Sequence, residues 1–254
     1  MLGNGGSLKP NFWRAVTDND MGANVQEKFA AWRDPQMKLT SLQVDKKAKT
    51  VTATYNLPEV KADLTIAYRT TENGTLNVTQ SLKTTPGAEM PEMMRFGMVM
   101  NLPYAMDQAE WYGRGPVENY SDRKLSQNVG IYKATADQLF YPYVRPQETG
   151  TMSDLRWWNI KDNNGFGLRI ESDALFSASA LHYDLYTLDE GKEKNQRHSQ
   201  SLPKSQYTNL FVDLVQAGVG GVDSWSDWGR ARKGHRVEYK DYTFSFRISP
   251  KTLY

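Results

Sequence analysis

The 254-residue sequence predicts an all-β protein, a large antiparallel β-sandwich, and three observations carry that reading. Several segments alternate apolar and polar residues with period two, the mark of half-buried strands. Turn-forming clusters rich in Asn, Asp and Gly separate them. Aromatic residues make up 12% of the chain, and they suit a pleated surface. Helical signal is scarce, so we expect under about 15% helix where an ordinary domain has roughly a third.

The elements follow in chain order. Residues 1–10 read as a cut end or a replaced strand. Val25 to Arg33 reads as a short helix, with Asn24 as its N-cap and Phe29 and Trp32 turned inward. Lys49 to Leu57 sets Val51, Ala53, Tyr55 and Leu57 on one face against Thr50, Thr52 and Thr54 on the other. Ala62–Thr71 and Leu76–Leu82 flank Asn73-Gly74. That pair predicts a tight hairpin in which both central residues take positive φ. Met93–Leu102 and Gly130–Lys133 are further strands, and Ala134–Leu139 supplies one helical turn. A second hairpin joins Trp157–Ile160 to Phe166–Ile170 around Lys161–Gly165. Ser177–His182, Thr208–Val215 and Tyr242–Ile248 complete the set. No repeat or linker divides the chain, so residues 1–254 read as one sandwich domain.

Charge and composition exclude several functions. The formal net charge is +2, too near neutral to argue for nucleic acid or an anionic membrane surface. There is no cysteine, hence no disulfide, thiolate metal site or cysteine nucleophile. No apolar run approaches the ~20 residues of a membrane helix, and the N-terminus lacks the basic and apolar regions of a signal peptide. These features leave a cytoplasmic or a periplasmic location open.

Metal and nucleophile signals are weak. His182, His198 and His235 lie far apart without ligand spacing and read as structural or surface residues. Thr17-Asp18-Asn19-Asp20-Met21-Gly22 resembles part of a calcium loop but lacks its downstream bidentate Glu, so local turn chemistry explains it better. No G-x-S-x-G elbow occurs. A glycosidase needs two carboxyl groups across the scissile bond, and no pair here stands in a catalytic context. Glu148, among aromatic and turn residues, is the most suggestive single acid, although a structural role is the simpler reading. Trp225, between Gly220-Gly221-Val222-Asp223-Ser224 and Ser226, sits where a loop belongs, and a loop Trp tends to meet a ligand or another domain.

Four motifs in order, FWRAVTDNDMG, WYGRGPVENYSDRK, YPYVRPQETG and GVGGVDSWS, resemble the C-terminal domain of bacterial β-galactosidases of glycoside hydrolase family 2. The likeness runs from Asn11 to about Pro250. It implies a galactose-mutarotase-like supersandwich, and a parent enzyme that hydrolyses terminal β-D-galactosides such as lactose. In that family the catalytic carboxylates, and the magnesium and sodium ligands, lie mainly on a TIM barrel and other N-terminal domains. The resemblance therefore implies no catalytic residue and no metal or other cofactor in this domain. It implies a sugar contact by Trp225 with Asp223 and Ser224, and a pocket border at Asp18, Asn19, Asp20 and Gly22. The expected partners are the barrel, the other domains and the galactoside, with homo-oligomerisation left open. An apolar or aromatic patch is expected where the barrel docks. Two other readings compete. One is a stand-alone carbohydrate-binding module. The other is an aldose-epimerase-like enzyme that would need Glu148 to converge with His182 or His198.

Overall fold

A computed structural model of the protein describes residues 2–3, 5–189 and 198–252. Helix accounts for 12% of the structure and strand for 47%, within the expected limit. The strands are β1 (Leu8–Asn11), β2 (Lys38–Asp45), β3 (Thr50–Leu57), β4 (Ala62–Thr70), β5 (Leu76–Thr84), β6 (Arg95–Pro103), β7 (Gln108–Gly115), β8 (Asn128–Thr135), β9 (Met152–Lys161), β10 (Phe166–Leu181), β11 (Tyr207–Gln216) and β12 (Tyr242–Thr252). Every pairing between them is antiparallel.

β10 organises the sheet. Its first half, Phe166–Glu171, pairs with β12, while its second half, Ser177–Leu181, pairs with β11. The ladder to β9 shifts register between Glu171 and Phe176. A bulge of this kind bends a strand and increases its twist. The ladder therefore forks into one arm β12-β5-β4-β3-β2 and another β11-β6-β1, with β9-β7-β8 on the opposite edge of β10. Side chains from all three arms join one hydrophobic cluster, among them Met98, Leu210, Leu64, Phe246, Trp111 and Trp158. Phe96 of β6 stacks on Tyr242 of β12 at 5.3 Å, so the arms face each other as layers of a sandwich.

The local signals resolve as follows. Both hairpins form, but Asn73-Gly74 does not supply the expected pair of positive-φ residues. Gly74 and Gly165 take positive φ, whereas Asn73 and Asn164 do not. In each loop the Gly N–H donates to a carbonyl three residues back, from Gly74 to Thr71 and from Gly165 to Asp162. That is a type I turn followed by a left-handed glycine, the three-residue hairpin alternative. The stretch from Val25 splits into a helix at Val25–Lys28 and a 3-10 turn at Ala30–Trp32, with Phe29 and Trp32 buried as expected. Asn24 is not a side-chain cap. It sits in the left-handed region at φ 60°, and its amide donates to Glu27 instead.

Candidate functional site

Two loops meet at one end of the sandwich. The first is the helix α1 (Asp18–Gly22), which a capping box starts: the Asp20 N–H donates to Thr17 Oγ1 and the Thr17 N–H donates back to Asp20 Oδ2. Arg14 lies beneath it, fully buried. Its Nη1 donates to Asp20 Oδ2 at 2.7 Å, and its Nη2 donates to the Gly218 carbonyl at 2.9 Å. One guanidinium thus ties the first loop to the start of the second. Asp18 pairs with Arg145 at 3.2 Å. Asp20 is committed to Arg14 and to the Thr17 N–H, and Asp18 to Arg145, which is local turn and ion-pair chemistry. Among the described residues no three His, Cys, Asp or Glu side chains converge as metal ligands.

The second loop runs from Gly218 to Gly229. Asp122 grips its base, accepting from the Val219 N–H at 3.2 Å and the Gly220 N–H at 2.8 Å. Asp223 organises its tip. Its carboxylate accepts from the N–H groups of Trp225 and Ser226 and, at 2.6 Å, from the Ser226 hydroxyl. The Ser226 hydroxyl bond leads in holding this carboxyl below its ordinary range, with the Trp225 and Ser226 N–H groups adding to it. Ser224 donates from Oγ to Asn19 Oδ1 at 2.7 Å, and Lys28 pairs with Asp227. The loops touch backbone to backbone. A Cβ on Gly22 would lie 1.9 Å from the Ser224 carbonyl oxygen, so only glycine permits this approach. Asp223 and Ser224 therefore spend their polar atoms on bracing the loop. The large apolar groups are left outside: Trp225 is 81% exposed and Trp228 71%.

Beside the first loop lies a cavity of about 170 Å³ whose wall includes Asp18, Asn19, Tyr120, Arg123, Gln147 and Glu148. Glu148 is buried at 7% exposure, accepts from Arg95 Nη2 at 3.0 Å and from Thr151 Oγ1 at 2.9 Å. Arg95 also faces Asp213 at 3.5 Å. Asp213 is pushed up to about 7, because burial outweighs the attraction of Arg95 and the Glu148 carboxylate adds repulsion. No histidine is among the residues lining the Glu148 cavity. His182 is buried against Tyr104, with its ring bonded to Asp137, and His198 precedes a 3-10 turn.

A protein-family model described as the β-galactosidase small chain matches residues 1–248. The chain belongs to the β-galactosidase small chain family. The chain is 32% identical over 248 residues to a β-galactosidase of Priestia megaterium, covering 96% of this chain and 23% of that protein. A β-galactosidase of Lactobacillus delbrueckii subsp. bulgaricus is 35% identical over 221 residues, covering 84% of this chain and 21% of that one. The chain thus spans under a quarter of the length of these relatives. Among solved structures, a GalM/aldose epimerase homologue from C. elegans aligns with TM-score 0.45 at 8% identity, covering 86% of this chain and 69% of that one. A galactose mutarotase related enzyme from Lactobacillus acidophilus gives 0.40 at 10%, covering 84% and 71%.

Several residues that build this small-chain site escape sequence reasoning. Arg14, Arg95, Asp122 and Trp228 carry no local pattern. Arg14 and Gly218 stand 204 positions apart, so only the folded chain shows their contact.

Proposed function

We propose that this chain is the non-catalytic C-terminal part of a family 2 β-galactosidase acting on terminal β-D-galactosides such as lactose, and that it completes the substrate pocket with Trp225. One observation supports this above others: an almost fully exposed indole on a loop whose every neighbour is braced. Exposing an aromatic side chain forgoes about 1.5–3 kcal/mol of burial. A rigid, flat apolar face suits stacking against the C–H face of a sugar ring. Asp223 and Ser224 then belong to the pocket as the groups that set the height of the indole. The loop of Asp18, Asn19, Asp20 and Gly22 forms its border, with Asp20 buried beneath it on Arg14. Residues 1–254 act as one sandwich unit, and the catalytic carboxylates, with magnesium and sodium, belong to the remainder of the enzyme.

The apolar contact for that remainder is available on the end of one arm, where Leu39, Leu42 and Val44 of β2 are all more than half exposed. Exposed apolar groups gathered on one strand favour burial against a partner.

Kinetics of the intact enzyme test the reading. Trp225→Ala should raise KM about five- to thirtyfold, the equivalent of ~1–2 kcal/mol of lost stacking, and leave kcat nearly unchanged. The chain alone should not turn over a chromogenic galactoside. An unchanged KM, or turnover by the purified chain after removal of host β-galactosidase, would overturn it.

A further inference from the structure

The stalk of the Trp225 loop, Gly218-Val219-Gly220-Gly221, is almost all glycine. Glycine loses the most conformational freedom on ordering, so a stalk of this composition must be held from outside. Its two ends are held. The Gly218 N–H donates to the His235 carbonyl at 2.8 Å, and the Gly218 carbonyl accepts from Arg14. The Val222 N–H donates to the Trp228 carbonyl at 2.8 Å. Between these ends one carboxylate takes both N–H groups. Asp122 Oδ1 accepts from Val219 at 3.2 Å, and Asp122 Oδ2 accepts from Gly220 at 2.8 Å. A Cβ on Gly218 would lie 2.2 Å from Asp122 Oδ2, so the carboxylate rests directly against the stalk backbone.

Asp122 stands on a stiff support. Tyr120 and Arg123 exchange backbone hydrogen bonds at 3.3 and 2.9 Å, which closes a four-residue turn with Asp122 in third place. Tyr120 and Asn119 are buried. The Asn119 N–H donates to the Thr151 carbonyl at 2.7 Å, and Asn119 Oδ1 accepts from the Ser153 N–H at 3.0 Å, so the turn is stapled to the start of β9. Among the described residues Asp122 forms no ion pair, and both its oxygens go to the stalk. Charge-assisted bonds to backbone N–H groups are the strong kind. Here a rigid acceptor meets a segment that cannot fix itself.

We propose that Asp122 is a positioning residue. By fixing the glycine stalk it sets where the Trp225 indole stands, and it acts on galactoside binding through that indole. The inference rests on the reading of Trp225 as the sugar platform. Without the carboxylate the stalk samples more conformations, and the indole spends less time at stacking height. Ground state and transition state then weaken together, which raises KM and leaves kcat.

Two measurements test this. Hydrogen exchange on the 254-residue chain reads the loop with no sugar present. The reporters are the N–H groups of Trp225 and Ser226, which are bonded to Asp223 and not to Asp122. Asp122→Ala should speed their exchange about tenfold, while β10 keeps its rates. Asp122→Asn keeps one acceptor oxygen and should fall between. Gly220 does not take positive φ, and a Cβ there meets only the Asp122 carboxylate, at 3.3 Å. Gly220→Ala in the Asp122→Ala background therefore fits and stiffens the stalk, and should recover about two- to fivefold of the loss. In the intact enzyme Asp122→Ala should raise KM about three- to tenfold with kcat nearly unchanged. Added to Trp225→Ala, it should raise KM no further, because its effect runs through the missing indole. Should Asp122→Ala fail to fold, Asp122→Asn decides on the same readouts. Unchanged exchange at Trp225 and Ser226 overturns the proposal whatever the kinetics. So does a full further rise in KM when Asp122→Ala is added to Trp225→Ala. If Trp225→Ala raises KM and Asp122→Ala does not, the proposal alone fails. If Trp225→Ala leaves KM unchanged, the platform reading fails and takes the proposal with it.

Discussion

Trp111 and Trp158 stack at 5.3 Å and 16° inside the sandwich, while Trp225 and Trp228 stand in solvent on a loop. The same residue type is held in two ways. Trp111 and Trp158 are cross-strand partners on β7 and β9, positioned by sheet register and by close packing from all sides. Trp225 and Trp228 have almost no packing. Their backbone is fixed by Asp223 and Ser226, and their loop by Asp122 and by contact with Gly22. In the first region hydrophobic burial makes the structure. In the second, hydrogen bonds make it, and the apolar surface is left free for something outside the chain.

The largest expected effect lies in the packed region. Trp158→Ala should cost about 3–5 kcal/mol in a urea melt, because it removes a fully buried ring and leaves its stacking partner facing a cavity. A loss under about 1 kcal/mol would mean that the sheet collapses around the gap and that burial does not define this region.

The buried charges beneath the loops give the next effect, one that depends on pH. In the folded chain Asp213 titrates at about 7, against 3.8 for an ordinary aspartate. Between those values the native state holds a proton that the unfolded chain has released. Stability therefore falls as pH rises from about 4 to 7, at about 1 kcal/mol per pH unit, and this contribution is level outside the window. Asp213→Asn cannot titrate. Urea midpoints of the two proteins should diverge across the window, with the wild type losing ground as pH rises. Parallel curves would show Asp213 charged throughout and held by Arg95.

Gly22→Ala should have a smaller effect on stability, since the crowded Ser224 backbone belongs to a surface loop that can shift. We expect about 1–3 kcal/mol, typical of overpacking. In the intact enzyme the displaced loop should raise KM as Trp225→Ala does. Normal KM in a folded Gly22→Ala protein would uncouple the two loops.

How much was legible in the sequence follows the same division. Lys49–Leu57 alternates and appears as β3 within a residue of the expected start, with Ala53 and Leu57 of the apolar face buried, Val51 of the same face exposed, and the Thr face partly covered. β2 escapes because the bulge between Leu39 and Ser41 interrupts the alternation that Leu42 and Val44 carry, and nearly all of Lys38–Asp45 is exposed. β7 was missed because Gly113 and Gly115 argue against a strand. In the fold Leu155 and Tyr132 occupy the space where their side chains would be. Phe166–Ile170 and Ser177–His182 were read as separate strands, and the bulged stretch between them joins them into β10. At the site, turn-forming neighbours made the exposure of Trp225 legible. The buried Arg14–Asp20 and Arg95–Glu148 pairs were not, because Arg95 and Glu148 are 53 positions apart and neither pair has a pattern to announce it. Asn24 is a good capping residue type that makes no cap here, because the turn uses its tolerance of positive φ instead.

The smallest stability effect is expected at Trp225 itself, and it carries the most weight for the comparison. Trp225→Ala removes a large side chain but little buried surface, so the unfolding free energy of the chain should change by under about 0.5 kcal/mol. Nothing in the loop's hydrogen bonding depends on the indole. Asp223 accepts from the backbone N–H of residue 225, which alanine retains, and Ser226 and Asn19 keep their partners. Trp158→Ala, the same substitution in the packed region, should differ by several kcal/mol. Measuring both in urea under one set of conditions gives the contrast directly. Should Trp225→Ala destabilise the chain by about 3 kcal/mol or more, the indole packs in solution, the two regions are held alike, and the surface that meets a sugar must be sought elsewhere on the loop, first at Trp228.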